Sequence, residues 1–334
     1  MSERHILAAD VGGTKTLLAL ACVSDVSEGQ PKIEQQAYFE NQAYDNFDAL
    51  LQAFCSQTTC PPLTAVCLAI AGPVEGPSAR LTNLAWQIEA NRVSSLLPAQ
   101  PEVMLINDFS AIAYAIPALQ EKACLVLQAG NPRPAAPVLV VGAGTGLGVC
   151  YRVSDAQGTR VFPTEGGHLG FAPVTPEQGE LLAYWQARLP RVSNENLLSG
   201  AGIERIFAYL ASLSSASAEL DGAVRQEGAA AVSRFARERK DALAIHTMEL
   251  FFEIYGAVAG DMALAMLAHG GVFLAGGIAA KNSDLLQASR FMQAFVSKSP
   301  HEAIMREIPV TLITDQHAGL LGALAVAAEL ARQT

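Results

Sequence analysis

Asp10-Val11-Gly12-Gly13-Thr14-Lys15 and Gly142-Ala143-Gly144-Thr145-Gly146-Leu147-Gly148 are glycine-rich turns set far apart in the chain. Apolar runs lead into them at residues 6–9 and 138–141, and further apolar runs leave them at 16–23 and 147–153. The pattern predicts strand, tight turn, strand at both places. Glycine permits the positive φ that such turns use and leaves bare backbone N–H groups open to an anion, so the pair reads as a clamp for phosphates. A Walker-type loop would need four residues between its glycines, a Gly-Lys-Ser/Thr ending and a following helix. Neither segment has them.

With 334 residues the chain exceeds the usual single core, and two domains separated by a cleft are expected. Hydrophobic residues make up 51% and charged residues only 16%, against a typical charged share of about 25%. That composition calls for a large buried core and argues against disorder. The net charge of -10, with no cluster of Lys and Arg, disfavours a dedicated nucleic-acid binder. Six cysteines, at 22, 55, 60, 67, 124 and 150, form no Cys-x-x-Cys pair and no Cys/His block at zinc spacing. They are expected to be reduced, mostly buried thiols of a cytoplasmic protein. Residues 262–280 are nearly all apolar, but His269 and the pairs Gly270-Gly271 and Gly276-Gly277 break the run into a helix end, a turn and a buried strand, not a membrane span. Residues 18–22 resemble a lipoprotein cleavage site only superficially, since Asp10 and Lys15 interrupt the apolar region it requires. No export signal is expected.

Strands are predicted at 6–10, 16–23, 32–39, 64–70 and 103–106, with an amphipathic helix at 46–57, which together describe an α/β sheet that starts with hairpins. A helix opens near Ser110 and carries Ile112, Ile116 and Leu119 at helical spacing, with Pro117 ending or bending it. The domain boundary is placed here. A small α/β domain takes residues 1–109 plus about 315–334, because the closing helix at 318–332 is expected to return to it, and a large α+β domain takes 110–314. The second region opens with its own hairpin at 138–153, as though one idea were used twice. A long helix at 242–268 contains Gly256 and Gly260, read as packing positions, and strands follow at 271–274 and 311–314.

Asn107-Asp108 ends an apolar strand, at the sheet edge where ligands of α/β proteins gather. A helix N-terminus there favours a charged Asp108 that can accept a hydroxyl proton; the competing use is a plain helix cap. Glu165-Gly166-Gly167-His168 sets a carboxylate and an imidazole in a loop, since two glycines oppose the helix that a Glu-x-x-His metal pair needs. Such a loop suits a polyol, or is a satisfied turn with a solvated Glu. Glu195 sits in a helix first turn, where dipole effects alone favour an acid. Asp10 ends the first strand, placed to hold Mg²⁺ through water. Thr14 and Thr145 offer hydroxyls to phosphate, and Lys15 offers a point charge or merely fills a turn. Gly276-Gly277, after a buried strand, lets a base or ribose approach the backbone, or is an ordinary turn.

In order, the chain carries Asp-Val-Gly-Gly-Thr (10–14), Ile-Asn-Asp-Phe (106–109), Gly-Ala-Gly-Thr-Gly-Leu-Gly (142–148), Glu-Gly-Gly-His (165–168), Leu-Ser-Gly-Ala-Gly (198–202) and Leu-Ala-Gly-Gly-Ile (274–278). This series resembles the bacterial glucokinase family of the actin/hexokinase-like superfamily, from about residue 6 to 322. The resemblance implies a two-domain actin-like ATPase (ribonuclease H-like) fold with a cleft between a small α/β and a larger α+β domain. It implies ATP with its phosphates against Gly12, Gly13, Thr14, Lys15, Gly144, Thr145 and Gly146, its adenosine near Gly276 and Gly277, and Mg²⁺ at Asp10. Glucose would be held by Asn107, Asp108, Glu165, His168 and Glu195, with Asp108 the base facing the 6-hydroxyl. A cytoplasmic homodimer that binds neither nucleic acid nor membrane is also implied. The related repressor/kinase (ROK) sugar kinases carry a cysteine-rich zinc loop after their Glu-x-Gly-His element. No cysteine follows Cys150 here, so that zinc is not expected, and nine residues before Asp10 leave no room for a DNA-binding helix-turn-helix. A kinase of another hexose, a non-catalytic sugar sensor on the same scaffold, and ADP or polyphosphate as donor stay open. An actin-like or chaperone-like ATPase is disfavoured, because it would have no need of the Asn107, Glu165 and His168 cluster.

Overall fold

Strands β1 (Glu3–Val11) and β2 (Lys15–Ser24) are the antiparallel pair that closes on the first glycine turn, and β3 (Lys32–Glu40) continues the meander. β4 (Leu63–Ile70) pairs parallel with β1 on its other side. Three short strands, β5 (Val74–Glu75), β6 (Ser78–Arg80) and β7 (Gln87–Glu89), make a small sheet of their own before β8 (Glu102–Asn107) pairs parallel with β4. The resulting order is β3-β2-β1-β4-β8. This computed structural model describes residues 3–24, 30–58, 60–81, 84–156, 158–238 and 241–333.

Both faces of this sheet are buried, which is why β1 and β2 read as continuous apolar runs instead of alternating ones. Leu7, Ala9, Val11, Leu18 and Leu20 pack with Phe47, Leu50, Leu51 and Phe54 of the helix Phe47–Gln57. Ile6, Ala8, Leu17, Ala19 and Ala21 face Leu320, Ala323, Leu324 and Ala327 of the closing helix Ala318–Gln333. A side chain at Gly322 would run into the carbonyl of Ala111, so the closing helix lies directly on the helix Asp108–Ala115. That packing keeps the latter helix in the first unit. The chain divides into residues 1–120 with 315–334 and residues 121–314, so the division falls after Gln120, later in the chain than the position inferred from sequence.

In the second unit β9 (Cys124–Gln128), β10 (Val138–Ala143), β11 (Leu147–Asp155), β12 (Gly158–Thr164), β13 (Gly271–Ala275) and β14 (Val310–Ile313) form one sheet ordered β12-β11-β10-β13-β14-β9. β10, β11 and β12 are antiparallel neighbours, while β10, β13 and β14 run parallel. The first five positions repeat the first unit's plan: a glycine-turned meander whose first strand pairs parallel with later ones. The duplication suggested by two similar turns is therefore one of topology, and β9, antiparallel to β14, is added to it.

The helix Ala242–Met266 is the one described helix long and apolar enough to cross a membrane by length and composition, yet 67% of its most apolar window is buried inside the protein. Phe251, Phe252, Ile254 and Tyr255 are fully enclosed in the core. Tyr255 donates its hydroxyl to the Val141 carbonyl (3.0 Å), tying this helix to the strand that enters the second glycine turn. Gly256 and Gly260 meet the backbone of Phe291 and Phe295, as expected of packing positions. The cysteines depart from expectation. All six are unbridged, but only Cys67 and Cys150 are buried; the other four are half-buried.

Candidate active site

In the first unit the glycine turn is narrow, with the Gly12 N–H donating to the Lys15 carbonyl at 3.0 Å. Thr14 and Lys15 are exposed, and the Lys15 ammonium pairs with Glu40 at 2.9 Å, both groups being 61% exposed. Neither hairpin turn contains a residue at positive φ. The rationale drawn from sequence, left-handed backbone, was wrong on that point. The turn is held from beneath by Asn41, a fully buried residue that sequence reading missed. Its amide donates to the Gly12 carbonyl (2.8 Å), its carbonyl oxygen accepts from Thr16 Oγ1 (2.8 Å), and its backbone N–H donates to the Thr14 carbonyl (2.8 Å). Asn41→Ala strands the Thr16 hydroxyl and the Gly12 carbonyl. It should lower stability by about 1–3 kcal/mol, read by urea unfolding.

β1 and β8 both border β4, so Asp10 and Asn107-Asp108 lie at the same sheet edge. Asn107, not Asp108, caps the helix Asp108–Ala115: its Oδ1 accepts from the N–H groups of Phe109 (3.0 Å) and Ser110 (3.4 Å). Its Nδ2 donates to Asp108 Oδ1 at 2.9 Å and more weakly to the Gly72 carbonyl at 3.3 Å. Asp108 Oδ1 also accepts from the Phe109 N–H (3.0 Å). Loss of hydration pushes the Asp108 carboxyl up to about 6, and the negative charge of Asp10 adds to the shift. Asp10 is pushed up to about 6 by the same loss of hydration, partly offset by His317. A side chain at Gly319 would come 2.5 Å from Asp10 Oδ2, so the start of the closing helix lies against that carboxylate. His317 is a second residue missed from sequence; its Nδ1 is 3.2 Å from Asp315 Oδ1 and its Nε2 is 2.7 Å from the Tyr38 hydroxyl. No local motif marks a lone histidine before a helix.

In the second unit β10 and β13 end side by side, with Gly142 opposite Ala275, which sets the turn at 144–146 next to Gly276. Gly276 has φ +86° and ψ 152°, and a Cβ there would drive into the Ala143 carbonyl. Thr145 and Gly277 are exposed. Glu195 Oε2 accepts the Leu147 N–H at 2.9 Å, and a Cβ on Gly146 would come 2.5 Å from the same oxygen. Ser193 and Asn196 form a capping box that fixes the short helix bearing Glu195. His168 lies 4.0 Å from Glu195 through Nδ1 and 3.8 Å from Glu165 through Nε2, while Glu165 is 85% exposed. The 3-10 turn Gly166–His168 is not an α-helix, as the two glycines foretold. Thus residues 10–15 with 107–108 form one polar group in the first unit. Residues 144–146, 165–168, 195 and 276–277 form another in the second.

The glucokinase family model matches residues 7–330. A glucokinase of Nostoc punctiforme is 38% identical over 97% of this chain and 99% of its own length. Among solved structures, a glucokinase from an Antarctic psychrotroph superposes with a TM-score of 0.85 at 31% identity, covering 97% of this chain and 99% of that one. A ROK family glucokinase from Streptomyces griseus, solved with glucose and AMPPNP, shares the fold at a TM-score of 0.62 and 21% identity, covering 99% and 100% of the two chains.

Proposed function

Because the chain belongs to the glucokinase family, we propose that the two polar groups described above act on one pair of substrates, ATP and glucose. The enzyme transfers the γ-phosphoryl group of ATP to glucose, yielding glucose 6-phosphate and ADP. The observation that carries the residue assignment is Asp108: a carboxylate at a sheet edge, oriented by Asn107 and poorly hydrated. Its hydrogen bonds from Asn107 and from the Phe109 N–H both fall on Oδ1, and we assign Oδ2 to the sugar 6-hydroxyl. As O6 bonds to the γ-phosphorus and the bond to the β–γ bridging oxygen breaks, the hydroxyl proton passes to Asp108 and then to water. The transition state of such transfers is loose, so aiming the hydroxyl outweighs early proton removal.

The N–H groups of Gly13, Thr14, Thr145 and Gly146 would bind the phosphates, those of Gly12 and Gly144 being used to close the two turns, with the Thr14, Thr145 and Lys15 side chains at their rims and the nucleoside along Gly276 and Gly277. Asp10 suits Mg²⁺ held through water: it is a hard oxygen donor beside a second carboxylate. When bound, the ion neutralises charge on the β- and γ-phosphates. Asn107, Glu165, His168 and Glu195 would take the remaining sugar hydroxyls, with Asn107 exchanging its long bond to Gly72 for one to the sugar. Closure over the substrates would exclude water, the competing acceptor. Glucose and ATP meet in the cytoplasm, where we place the enzyme as a homodimer.

Glucose-dependent ADP release across a panel of hexoses tests the reading, and Asp108→Ala should lose turnover while still binding ATP. A sugar sensor would keep its signalling in that variant. Glu165→Ala removes one charged hydrogen bond to a hydroxyl. It should raise the KM for glucose about 10–100-fold, with little change in Tm because the side chain is so exposed.

A further inference from the structure

His5 and Cys22 are register partners on β1 and β2, and Glu34 lies on the adjoining β3. One ligand atom from each (a ring nitrogen, the thiol sulfur and a carboxylate oxygen) falls within 4.8 Å of the other two. None belongs to either polar group of the active site. His5 stands five residues before Asp10 on the same strand, which at ~3.3 Å per residue separates the cluster from Asp10 by roughly 17 Å.

We propose that His5, Cys22 and Glu34 bind a divalent cation of the Zn²⁺ class, with three protein ligands and a fourth position open to water. Nitrogen, sulfur and oxygen donors together select a borderline-soft ion over the hard Mg²⁺ that suits Asp10. Zn–N and Zn–O bonds of about 2.1 Å at a tetrahedral angle place the two donor atoms about 3.4 Å apart. His5 Nε2 and Glu34 Oε2 are 3.5 Å apart. The Cys22 sulfur, within 4.8 Å of both, must move closer to reach bonding distance. Pairing of β2 with β3 slips between Leu20 and Ala21, whose partners are Gln35 and Ile33, so Glu34 falls at the bulge. A bulge is a place where a strand re-aims a side chain. His5 and Cys22 are half-buried and Glu34 is exposed, which gives a rigid floor and an open rim for entry. Lys32, the partner of Cys22 on β3, is exposed. Binding exchanges the Cys22 thiol proton, released to solvent, for a sulfur–metal bond, and no electron is transferred.

The test titrates the reduced, metal-stripped full-length enzyme with Co²⁺ and then Zn²⁺. One equivalent of Co²⁺ should produce the near-ultraviolet charge-transfer absorption of a thiolate ligand, and Zn²⁺ should displace it. Cys22→Ser should abolish the band. His5→Gln and Glu34→Gln should each weaken Zn²⁺ binding by more than about tenfold, the lower end of what losing an outer-shell partner alone costs. The double variant Cys55→Ser/Cys60→Ser, which removes the thiol pair hydrogen-bonded to each other, should keep the band. A Co²⁺ complex without a thiolate band would overturn the proposal, as would a band that survives Cys22→Ser or a Zn²⁺ affinity unchanged in Glu34→Gln. Glu34 is at the exposed rim, so that last variant serves even if Cys22→Ser does not fold.

Discussion

Asp108→Asn is expected to lower kcat by about 10²–10⁴-fold while raising the Tm of the metal-free enzyme at pH 8. The asparagine has the shape of the aspartate, and its Oδ1 can still accept from Asn107 Nδ2 and the Phe109 N–H. What disappears is a carboxylate able to orient the 6-hydroxyl and take its proton. What is gained follows from the sign of the shift. The folded-state pKa of about 6 stands above the ordinary 3.8 because the charged form is poorly hydrated and lies near Asp10. Below pH 3.8 the carboxyl is neutral in folded and unfolded chains alike and costs nothing. As pH rises through 6 the folded state must carry the charge, and that stability is lost. Wild type and variant should therefore melt together near pH 3.5 and separate by pH 8, by a few degrees for an effect on the order of 1–2 kcal/mol. The same titration predicts that wild-type kcat/KM falls as pH drops below about 6. Calorimetry in chelator and a coupled assay check both halves. Retained turnover, or a variant less stable at pH 8, would contradict the assignment.

Gly276→Ala should strongly damage both stability and ATP binding. At φ +86° and ψ 152° the backbone is in a region that only glycine occupies comfortably. The new methyl would also press on the Ala143 backbone, coming 2.9 Å from its carbonyl carbon. No side chain can swing aside to make room, so the ends of β10 and β13 must part. That moves the turn at 144–146 away from Gly277. Stability should fall by about 2–4 kcal/mol and the KM for ATP should rise at least about tenfold, while the affinity for glucose changes little. Gly222→Ala is the control, because a Cβ there meets nothing within 4 Å and the residue lies on the helix Ala218–Glu227, outside both polar groups. Equal effects in the two variants would sink the explanation.

The strands around both turns were legible because a run apolar on both faces and cut off by glycines has few other readings. Why the glycines are there was not legible: a residue without a side chain satisfies a need for positive φ and a need for space equally well. At 146 the need is space beside Glu195, and at 276 it is both. The sequence offered Asp108 as a possible helix cap, whereas Asn107 takes that place, a distinction made by one rotation of the backbone. Asn41 and His317 escaped notice because each is a single polar residue whose partners are set by tertiary contact alone. His5, Cys22 and Glu34 escaped for a related reason. Metal motifs are sought along the chain, and these donors meet across three strands.

A crystal structure of the enzyme with glucose and a non-hydrolysable ATP analogue would test most directly whether the two polar groups serve one reaction. Asp108 Oδ2 should lie about 2.6–3.2 Å from glucose O6, with the γ-phosphate beyond it between the turns at 12–15 and 144–146 and with Glu165 and His168 on other hydroxyls. A sugar bound with O6 out of reach of Asp108, or phosphates held away from both turns, would contradict the account.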